Sequence, residues 1–257
     1  VLVRKQETVT EMQLKGLKAF LGSYDDVGSL ETAMAGIDKV LLISSTDEGD
    51  RVRQHKNVID AAKKTGVTCI AYTSRSLQNK ETLVNNLMLE HFETEEYIRQ
   101  SGLQYTIFRN ALYMDVLPLF VGKQVFERGI FQPAGDGKVA FALRKEMGEA
   151  MANVLLEESC ENKTYSFTGS QAYSFSDVAR SLSELSGKEV GYTPVAIPVF
   201  KEKMKTAGLP EPVIQKIIDF NTDIKNDQEA GITSDLENKL GRKPTGLAEG
   251  LMLLFSF

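Results

Sequence analysis

The sequence predicts an α/β protein with a mainly parallel, doubly wound sheet and a smaller C-terminal part. Three observations support this prediction. Strand-like and helix-like segments alternate from Val1 to Asn110, and such alternation is typical of right-handed βαβ crossovers with helices on both sheet faces. After Asn110 the alternation loosens into an aromatic and apolar stretch. The composition, 42% hydrophobic and 25% charged over 257 residues, is that of a globular chain with a sizeable core.

The predicted elements rest on hydrophobic periodicity and on the residues that begin and end helices. The first are a strand end at 1–3, a strand at 17–24, a helix at 28–35, a strand at 39–45, a helix at 52–64, a strand at 68–74, a helix at 84–102 and a strand at 104–109. The later ones are an aromatic stretch at 113–131, a strand at 163–168, a helix at 176–187 with a hydroxyl cap and a glycine stop, a strand at 189–195 and two amphipathic helices.

These elements predict two domains. Residues 1–170 form the sheet domain, with 113–140 contributing to its pocket, and residues 171–257 form a smaller cap. We expect a ligand cleft between them, because open α/β sheets bind ligands at the carboxyl ends of their strands.

Charge and hydropathy exclude several classes of partner. The formal charge of -5 leaves no broad basic field for nucleic acid. No apolar run approaches the roughly 20 residues that span a bilayer, and no signal pattern opens the chain, so we expect a cytoplasmic protein without a membrane partner. Cys69 and Cys160 have no CxxC spacing, which predicts two free thiols and no metal site.

A basic pair directly follows the opening strand. In a dinucleotide-binding sheet, an acid after the second strand holds the 2′-hydroxyl of NAD, whereas basic residues accept the 2′-phosphate of NADP. Arg4 and Lys5 occupy this place, and no acid accompanies them. The pair therefore favours NADPH, and two solvated surface charges are the alternative.

Polar residues end three of the predicted strands. They are Ser44 and Ser45, the run Tyr72-Thr73-Ser74, and Asn110. Because the carboxyl ends of parallel strands meet at one edge, these groups are expected to line the place where a nicotinamide lies. Ordinary turn chemistry is the alternative for each of them.

Two histidines lie on inward helical stripes. His91 and Glu95 share the apolar face of the helix at 84–102, so a carboxylate one turn away would orient an imidazole aimed at the cleft. The alternative is a structural histidine at the margin of the core, with its ring nitrogens hydrogen-bonded. His55 lies on the inner face of its own helix with no acid four residues on, and we predict that it is structural.

Several segments together resemble the NmrA-like branch of the atypical short-chain dehydrogenases, and most resemble its bacterial NADPH:quinone oxidoreductase type. The segments are Val3-Arg4-Lys5, Tyr72-Thr73-Ser74, residues 89–95 (Leu-Glu-His-Phe-Glu-Thr-Glu), residues 105–110 (Tyr-Thr-Ile-Phe-Arg-Asn), Gly135-Asp136-Gly137-Lys138, Asn162-Lys163-Thr164-Tyr165 and Leu185-Ser186-Gly187-Lys188. The resemblance covers nearly the whole chain.

The resemblance implies a Rossmann-like domain with a small C-terminal domain and NADPH as cofactor. It implies that Arg4 and Lys5 take the 2′-phosphate, that Ser44 and Ser45 border the dinucleotide, and that Tyr72, Thr73, Ser74, Asn110 and Tyr113 surround the nicotinamide. His91 stands where several relatives have a lysine. His91, Tyr72 and Asn110 are therefore the expected catalytic residues.

Two departures from the family pattern bear on function. The family's GxxGxxG loop does not occur, and with it the first strand is expected in about 25 to 30 further residues before Val1. No tyrosine has a lysine four residues on, so the usual proton donor of short-chain dehydrogenases is missing.

This pattern predicts NADPH-dependent hydride transfer to a quinone or a similar electrophilic carbonyl, whose oxygens need only a weak proton donor. A non-catalytic, redox-sensing regulator that binds NADP(H) is the alternative. A sugar-nucleotide epimerase ranks third, because it needs the missing tyrosine and lysine. The expected partner is a small quinone-like molecule, and the sequence leaves a homodimer open.

Overall fold

The computed structural model describes residues 1–45, 49–122, 124–157 and 159–256. The elements of the first half are β1 Leu2–Val3, α1 Gln6–Leu14, β2 Phe20–Leu21, α2 Val27–Met34, β3 Lys39–Leu42, α3 Arg51–Lys64, β4 Cys69–Arg75, α4 Asn86–Gln100 and β5 Gln104–Asn110. Those of the second half are α5 Leu117–Val121, α6 Val125–Arg128, β6 Ile130–Gln132, β7 Lys138–Val139, α7 Arg144–Leu156, β8 Lys163–Phe167, β9 Tyr173–Ser174, α8 Phe175–Ser186, β10 Tyr192–Pro194, α9 Ile197–Thr206, α10 Glu211–Lys225, α11 Asp235–Leu240 and α12 Leu247–Phe255.

The chain divides into two compact units made of interleaved segments. The first unit comprises Val1–Ser74, Leu89–Phe108 and Glu157–Tyr165. The second comprises Arg75–Met88, Arg109–Leu156 and Ser166–Phe257. The predicted division into domains 1–170 and 171–257, with a cleft between them, stays a prediction.

The main sheet confirms the predicted fold class. Its strands follow the order β3-β4-β5-β8, and β3 runs parallel to β4 with Lys39 opposite Cys69 and Leu42 opposite Tyr72. Every residue of β4 is buried, as expected for a parallel strand covered on both faces. β1 and β2 form a separate parallel pair, with Leu2 opposite Phe20.

The first unit is built on the apolar faces of its helices. Asp50 caps α3, because its carboxylate accepts a hydrogen bond from the Arg53 backbone amide, and the helix buries Val58 and Ile59. These side chains belong to one cluster with members of α2, β4 and α4, such as Ile70 and Ile98. Burial of this kind contributes about 25 cal/mol per Å² of apolar surface, so the cluster holds the strand ends in place.

The second unit has its own core. α8 begins with a capping box in which Ser174 and Asp177 each accept the other's backbone hydrogen bond, and it ends at Gly187 in the left-handed conformation. Its inner face buries Phe175, Val178 and Leu182 in the largest cluster of this unit. The predicted hydroxyl cap and glycine stop are confirmed.

Several predicted elements differ from the structure. α1 and α7 were not predicted, and the strand expected at 17–24 is reduced to Phe20–Leu21. Four helices, α9 to α12, occupy the region where two were expected. α1 escapes a pattern-based prediction because its only buried residue is Val9 and its cap residue Lys5 makes no side-chain capping bond.

The two cysteines correct another prediction. Cys69 at the start of β4 and Cys160 before β8 form a disulfide within the first unit, and their Cα atoms lie 6.2 Å apart. They are therefore not free thiols. The pairing spans a sequence separation of 91 residues, which spacing rules for neighbouring cysteines do not address.

Within the residues that the structure describes, no helix combines the length and hydropathy that crossing a bilayer requires.

Candidate functional site

A cavity of about 830 Å³ lies in the first unit, beside residues that follow three strands. Arg4 and Lys5 follow β1, Ser23 follows β2, and Ser44 and Ser45 follow β3; all of them line it. The cavity volume is within the range of small-molecule and cofactor sites. The structure thus places four of the predicted cofactor-binding residues on the lining of one cavity: Arg4, Lys5, Ser44 and Ser45.

Two groups next to the basic pair were missed by sequence reasoning. The Tyr24 hydroxyl donates to the Ile43 carbonyl at 3.0 Å, which ties the loop after β2 to the end of β3. Burial raises the pKa of the Tyr24 phenol, and the charge of nearby Arg4 opposes that shift. Asp25 also lines the cavity, and hydrogen bonds from Arg53 and Gln54 lower the pKa of its carboxyl group.

The charge balance of this wall suits an anion. The Asp25 carboxylate is paired with Arg53 at 2.6 Å, so its charge is largely compensated. Arg4 and Lys5 add two cations. Guanidinium and ammonium groups are the usual side-chain partners of phosphate.

Buried side chains hold the backbone that follows β3. The Ser44 amide donates to the Thr73 hydroxyl at 2.8 Å, and the Ser45 amide donates to His55 Nε2 at 2.9 Å. Thr73 lies on β4 and His55 on α3, and both are buried. The predicted residues Ser44 and Thr73 are therefore in direct contact, and the position of the segment is set by neighbouring elements.

His55 is neutral in this environment. Burial, together with the positive charge of Arg51, lowers the pKa of its imidazole to about 3. A neutral ring has one bare nitrogen that accepts a hydrogen bond. The backbone amide of Ser45 can only donate, so it uses that nitrogen.

His91 lies inside the first unit, as its inward stripe predicts. Its side chain is 4% exposed. Nδ1 lies 2.9 Å from the Tyr72 hydroxyl, and Nε2 lies 3.3 Å from the Arg51 guanidinium. Because Arg51 can only donate, Nε2 accepts and Nδ1 carries the proton toward Tyr72.

Tyr72 continues this chain of hydrogen bonds. Its phenol hydrogen-bonds Thr94, and burial raises the pKa of the phenol above its ordinary value. The Thr94 hydroxyl donates to the Glu90 carbonyl at 2.9 Å, so it accepts from Tyr72. Arg51 and Thr94, which sequence reasoning missed, thus fix the donor and acceptor of each hydrogen bond in this series. Arg51 lies on α3 and Thr94 lies on α4.

Ser74 and Glu95 form a second buried contact. The Ser74 hydroxyl donates to one Glu95 oxygen at 2.6 Å, and Arg99 donates to the other at 2.9 Å. The sequence predicted that the Glu95 carboxylate would orient the His91 imidazole. The ring nitrogens of His91 are held by Tyr72 and Arg51, and the Glu95 oxygens accept from Ser74 and Arg99.

Asn110 and Tyr113 lie in the second unit. Asn110 is fully buried, and its Nδ2 donates to the Tyr113 hydroxyl at 3.4 Å. Its Oδ1 has no hydrogen-bond partner among the described residues. A buried acceptor without a partner is costly unless water or a ligand satisfies it. The convergence of Asn110 and Tyr113 with Tyr72, Thr73 and Ser74 around a nicotinamide stays a prediction.

A buried ion pair near Asn110 was also missed. Arg75 pairs with Glu229 and donates to the Ala111 carbonyl at 3.3 Å. Burial raises the pKa of the Glu229 carboxyl, and the Arg75 charge counters that effect. The two residues are 154 positions apart in the chain, so no local pattern signals their contact.

The parallel sheet with helices packed on it defines the class of this protein, a Rossmann-like α/β protein, and the basic cavity lies beside the ends of β1, β2 and β3. The chain belongs to the NmrA-like family, whose sequence profile matches residues 1–252.

Three comparisons, one with a curated sequence and two with solved structures, illustrate the similarity. Quinone oxidoreductase 2 of Escherichia coli (strain K12) is 34% identical over 256 residues, which is 99% of this chain and 88% of that protein. The structure of the E. coli NADPH-dependent quinone oxidoreductase QOR2 complexed with NADPH matches with a TM-score of 0.88 at 34% identity, covering 99% of this chain and 89% of that one. The Citrobacter sp. triphenylmethane reductase complexed with NADP(H) matches with a TM-score of 0.89 at 34% identity, covering 98% and 89%.

Proposed function

We propose that this protein is an NADPH-dependent reductase that transfers hydride to a quinone or a similar electrophilic carbonyl. The observation that carries the proposal is the cavity of the first unit, which is lined by Arg4 and Lys5 together with Ser44 and Ser45. Similar proteins support the same activity, since E. coli QOR2 is named a quinone oxidoreductase, and its structure and that of the triphenylmethane reductase hold NADPH and NADP(H).

The residues of the cavity fit the adenosine end of this cofactor. Arg4 and Lys5 would hold the 2′-phosphate through charge-assisted hydrogen bonds. Ser44 and Ser45 would border the dinucleotide from the end of β3. The cofactor, when bound, supplies the hydride. Thr73 keeps the Ser44 amide in place through the 2.8 Å bond between them.

The proton side of the reaction is assigned to the predicted residues Tyr72, His91 and Asn110. Burial keeps the Tyr72 phenol protonated by raising its pKa, and its proton would have to turn from Thr94 to the quinone oxygen to be donated. His91 Nδ1 lies 2.9 Å from that hydroxyl and orients it. Asn110 Oδ1 lacks a partner among the described residues, and as an acceptor it would take a hydrogen bond from a hydroxyl of the reduced quinone. A quinone accepts protons readily once it is reduced, so the missing TyrxxxLys pair is not required.

A non-catalytic regulator that binds NADP(H) is the second candidate. It is favoured by the burial of Tyr72 and His91, which are 0% and 4% exposed. Oxidation of NADPH by the purified protein, followed by absorbance after a small benzoquinone is added, separates the two. We expect turnover that rises with both substrates. Tight NADPH binding without turnover would establish the regulator.

Arg4 sets the preference between the two nicotinamide cofactors. Replacing it in Arg4→Ala is expected to weaken NADPH binding about tenfold or more and to leave NADH binding nearly unchanged, because a charge-assisted contact to phosphate is worth about 1.5 to 3 kcal/mol. Calorimetric titration of both cofactors measures the two dissociation constants.

The matched control for this variant is Lys15→Ala. It also removes one cation, but Lys15 pairs with Glu11 and does not line the cavity. Equal affinity of the parent for NADPH and NADH, or the same affinity ratio in Arg4→Ala, would contradict the assignment.

A further inference from the structure

His55 connects a buried network to the wall of the cavity. The side chain is 0% exposed and projects from α3. Its Nε2 accepts the Ser45 amide hydrogen bond at 2.9 Å and lies 3.3 Å from the Ser45 hydroxyl. The sequence alone predicts a structural histidine here, yet the residue it holds lines the candidate site.

The proton of this imidazole has a defined place. His55 Nδ1 lies 2.9 Å from the Thr94 hydroxyl oxygen. Thr94 donates its own proton to the Glu90 carbonyl at 2.9 Å, so toward His55 it accepts. The Ser45 amide can only donate, which leaves Nε2 bare. Both ends of the ring therefore select the tautomer with the proton on Nδ1.

The segment after β3 is held at two successive amides. Thr73 accepts from Ser44 and His55 accepts from Ser45. The two acceptors come from different elements, β4 and α3, and both are buried. Loss of either leaves a backbone N–H without its partner, and the segment would relax to find water.

We infer that His55, as its Nδ1–H tautomer, is a positioning residue that holds the Ser44–Ser45 segment against the cavity and thereby sets the affinity of this site for a phosphorylated dinucleotide. That His55 positions the Ser44–Ser45 segment follows from the contacts alone. That it sets the affinity for a phosphorylated dinucleotide rests on the proposed function. His55 touches no reacting atom in this arrangement, so its expected effect is on binding rather than on the chemical step.

A series of variants tests the inference on the purified chain. His55→Leu removes the acceptor. His55→Gln is expected to restore it, because a glutamine carries an oxygen that can accept from the Ser45 amide and a nitrogen that can donate to Thr94. Val58→Ala is the control for lost packing, since Val58 is buried in the same helix and belongs to the apolar cluster.

Two readouts are expected to move together. Exchange of the Ser45 amide proton, followed by NMR without cofactor, should be at least about tenfold faster in His55→Leu than in the parent, because the hydrogen bond protects it. The dissociation constant and KM for NADPH should rise about tenfold in His55→Leu, with kcat changed less than about twofold. Both should return to within about threefold of the parent in His55→Gln, and Val58→Ala should change neither.

The outcomes separate the inference from the proposed function. If the parent does not bind NADPH, the proposed function fails, and the exchange rates still decide whether His55 holds the segment. Unchanged exchange in His55→Leu would overturn the positioning role. Faster exchange with unaltered NADPH affinity would overturn its link to the site.

One measurement needs no variant, which protects the test if His55→Leu does not fold. Nitrogen NMR of the parent at neutral pH is expected to report a protonated Nδ1 and a bare Nε2 for His55. A protonated Nε2 would be incompatible with acceptance from the Ser45 amide and would overturn the inference.

Discussion

Cys160→Ser is expected to lower the free energy of unfolding by about 2 to 4 kcal/mol, because the Cys69–Cys160 disulfide closes a long loop in the unfolded chain. The two cysteines are 91 residues apart, and the entropic model gives an upper value of roughly 4 to 5 kcal/mol for such a loop. Cys160 is the residue to replace, since it is only partly buried, whereas Cys69 is buried at the start of β4, where a serine hydroxyl would add its own cost.

Urea unfolding of the parent and of Cys160→Ser, each with and without dithiothreitol, measures this effect. Reductant should bring the parent down to the stability of Cys160→Ser and leave the variant unaffected, because a single thiol offers nothing to reduce. Peptide mapping without reduction should recover Cys69 and Cys160 in one linked fragment. Separate fragments, or equal stability of the parent and the variant without dithiothreitol, would show that the bond does not form.

His91→Ala is expected to lower turnover of NADPH with a quinone by about 10- to 1000-fold, since help from a positioned acid is worth about 10² to 10⁴ and water replaces part of it. The structure gives this a physical basis: His91 Nδ1 directs a proton at the Tyr72 hydroxyl over 2.9 Å. Without the imidazole, Tyr72 loses the donor that orients it. The affinity for NADPH should change little, because His91 is not one of the residues that line the cavity, such as Arg4 and Ser44.

Stopped-flow rates, normalised to the folded fraction, separate this role from packing. Tyr72→Phe keeps the ring and removes the hydroxyl, so it should show a similar loss of turnover if the two residues act as one unit. Ile98→Val is the packing control, because Ile98 is fully buried on the same helix and its side chain belongs to the apolar cluster. If His91→Ala loses thermal stability while its folded fraction keeps full turnover, the role in the reaction is wrong.

Local patterns were sufficient for most of the first unit. The strand segments at β3, β4 and β5 and the helices α3 and α4 fall where hydrophobic periodicity predicts them, since each buries a face that the sequence marks with apolar residues. The inward positions of His55 and His91 were predictable for the same reason. α1 was not, because a mostly exposed helix carries little periodic signal.

The later half of the chain is less local. α9 to α12 replace two expected helices, and α7 was not anticipated. Short elements such as β6 and β10 pair across about 60 residues, with Ile130 opposite Tyr192. Such pairing depends on which strand edges the neighbouring elements leave uncovered. Propensity alone does not decide where segments of this length begin and end.

The contrast is sharpest at the candidate site. The sequence by pattern and resemblance predicts the family, the basic pair Arg4 and Lys5, and the polar strand ends Ser44 and Ser45, because each of these depends on a residue type at a place along one element. Only the tertiary structure decides that His55 accepts a hydrogen bond from Ser45 and that Cys69 forms a disulfide with Cys160. It also decides that Arg51 and Thr94 set the direction of the hydrogen bonds of His91 and Tyr72. Those contacts join residues from 10 to 91 positions apart, and hydrogen bonds and disulfides depend on distances of a few ångströms that only the packed helices and strands set.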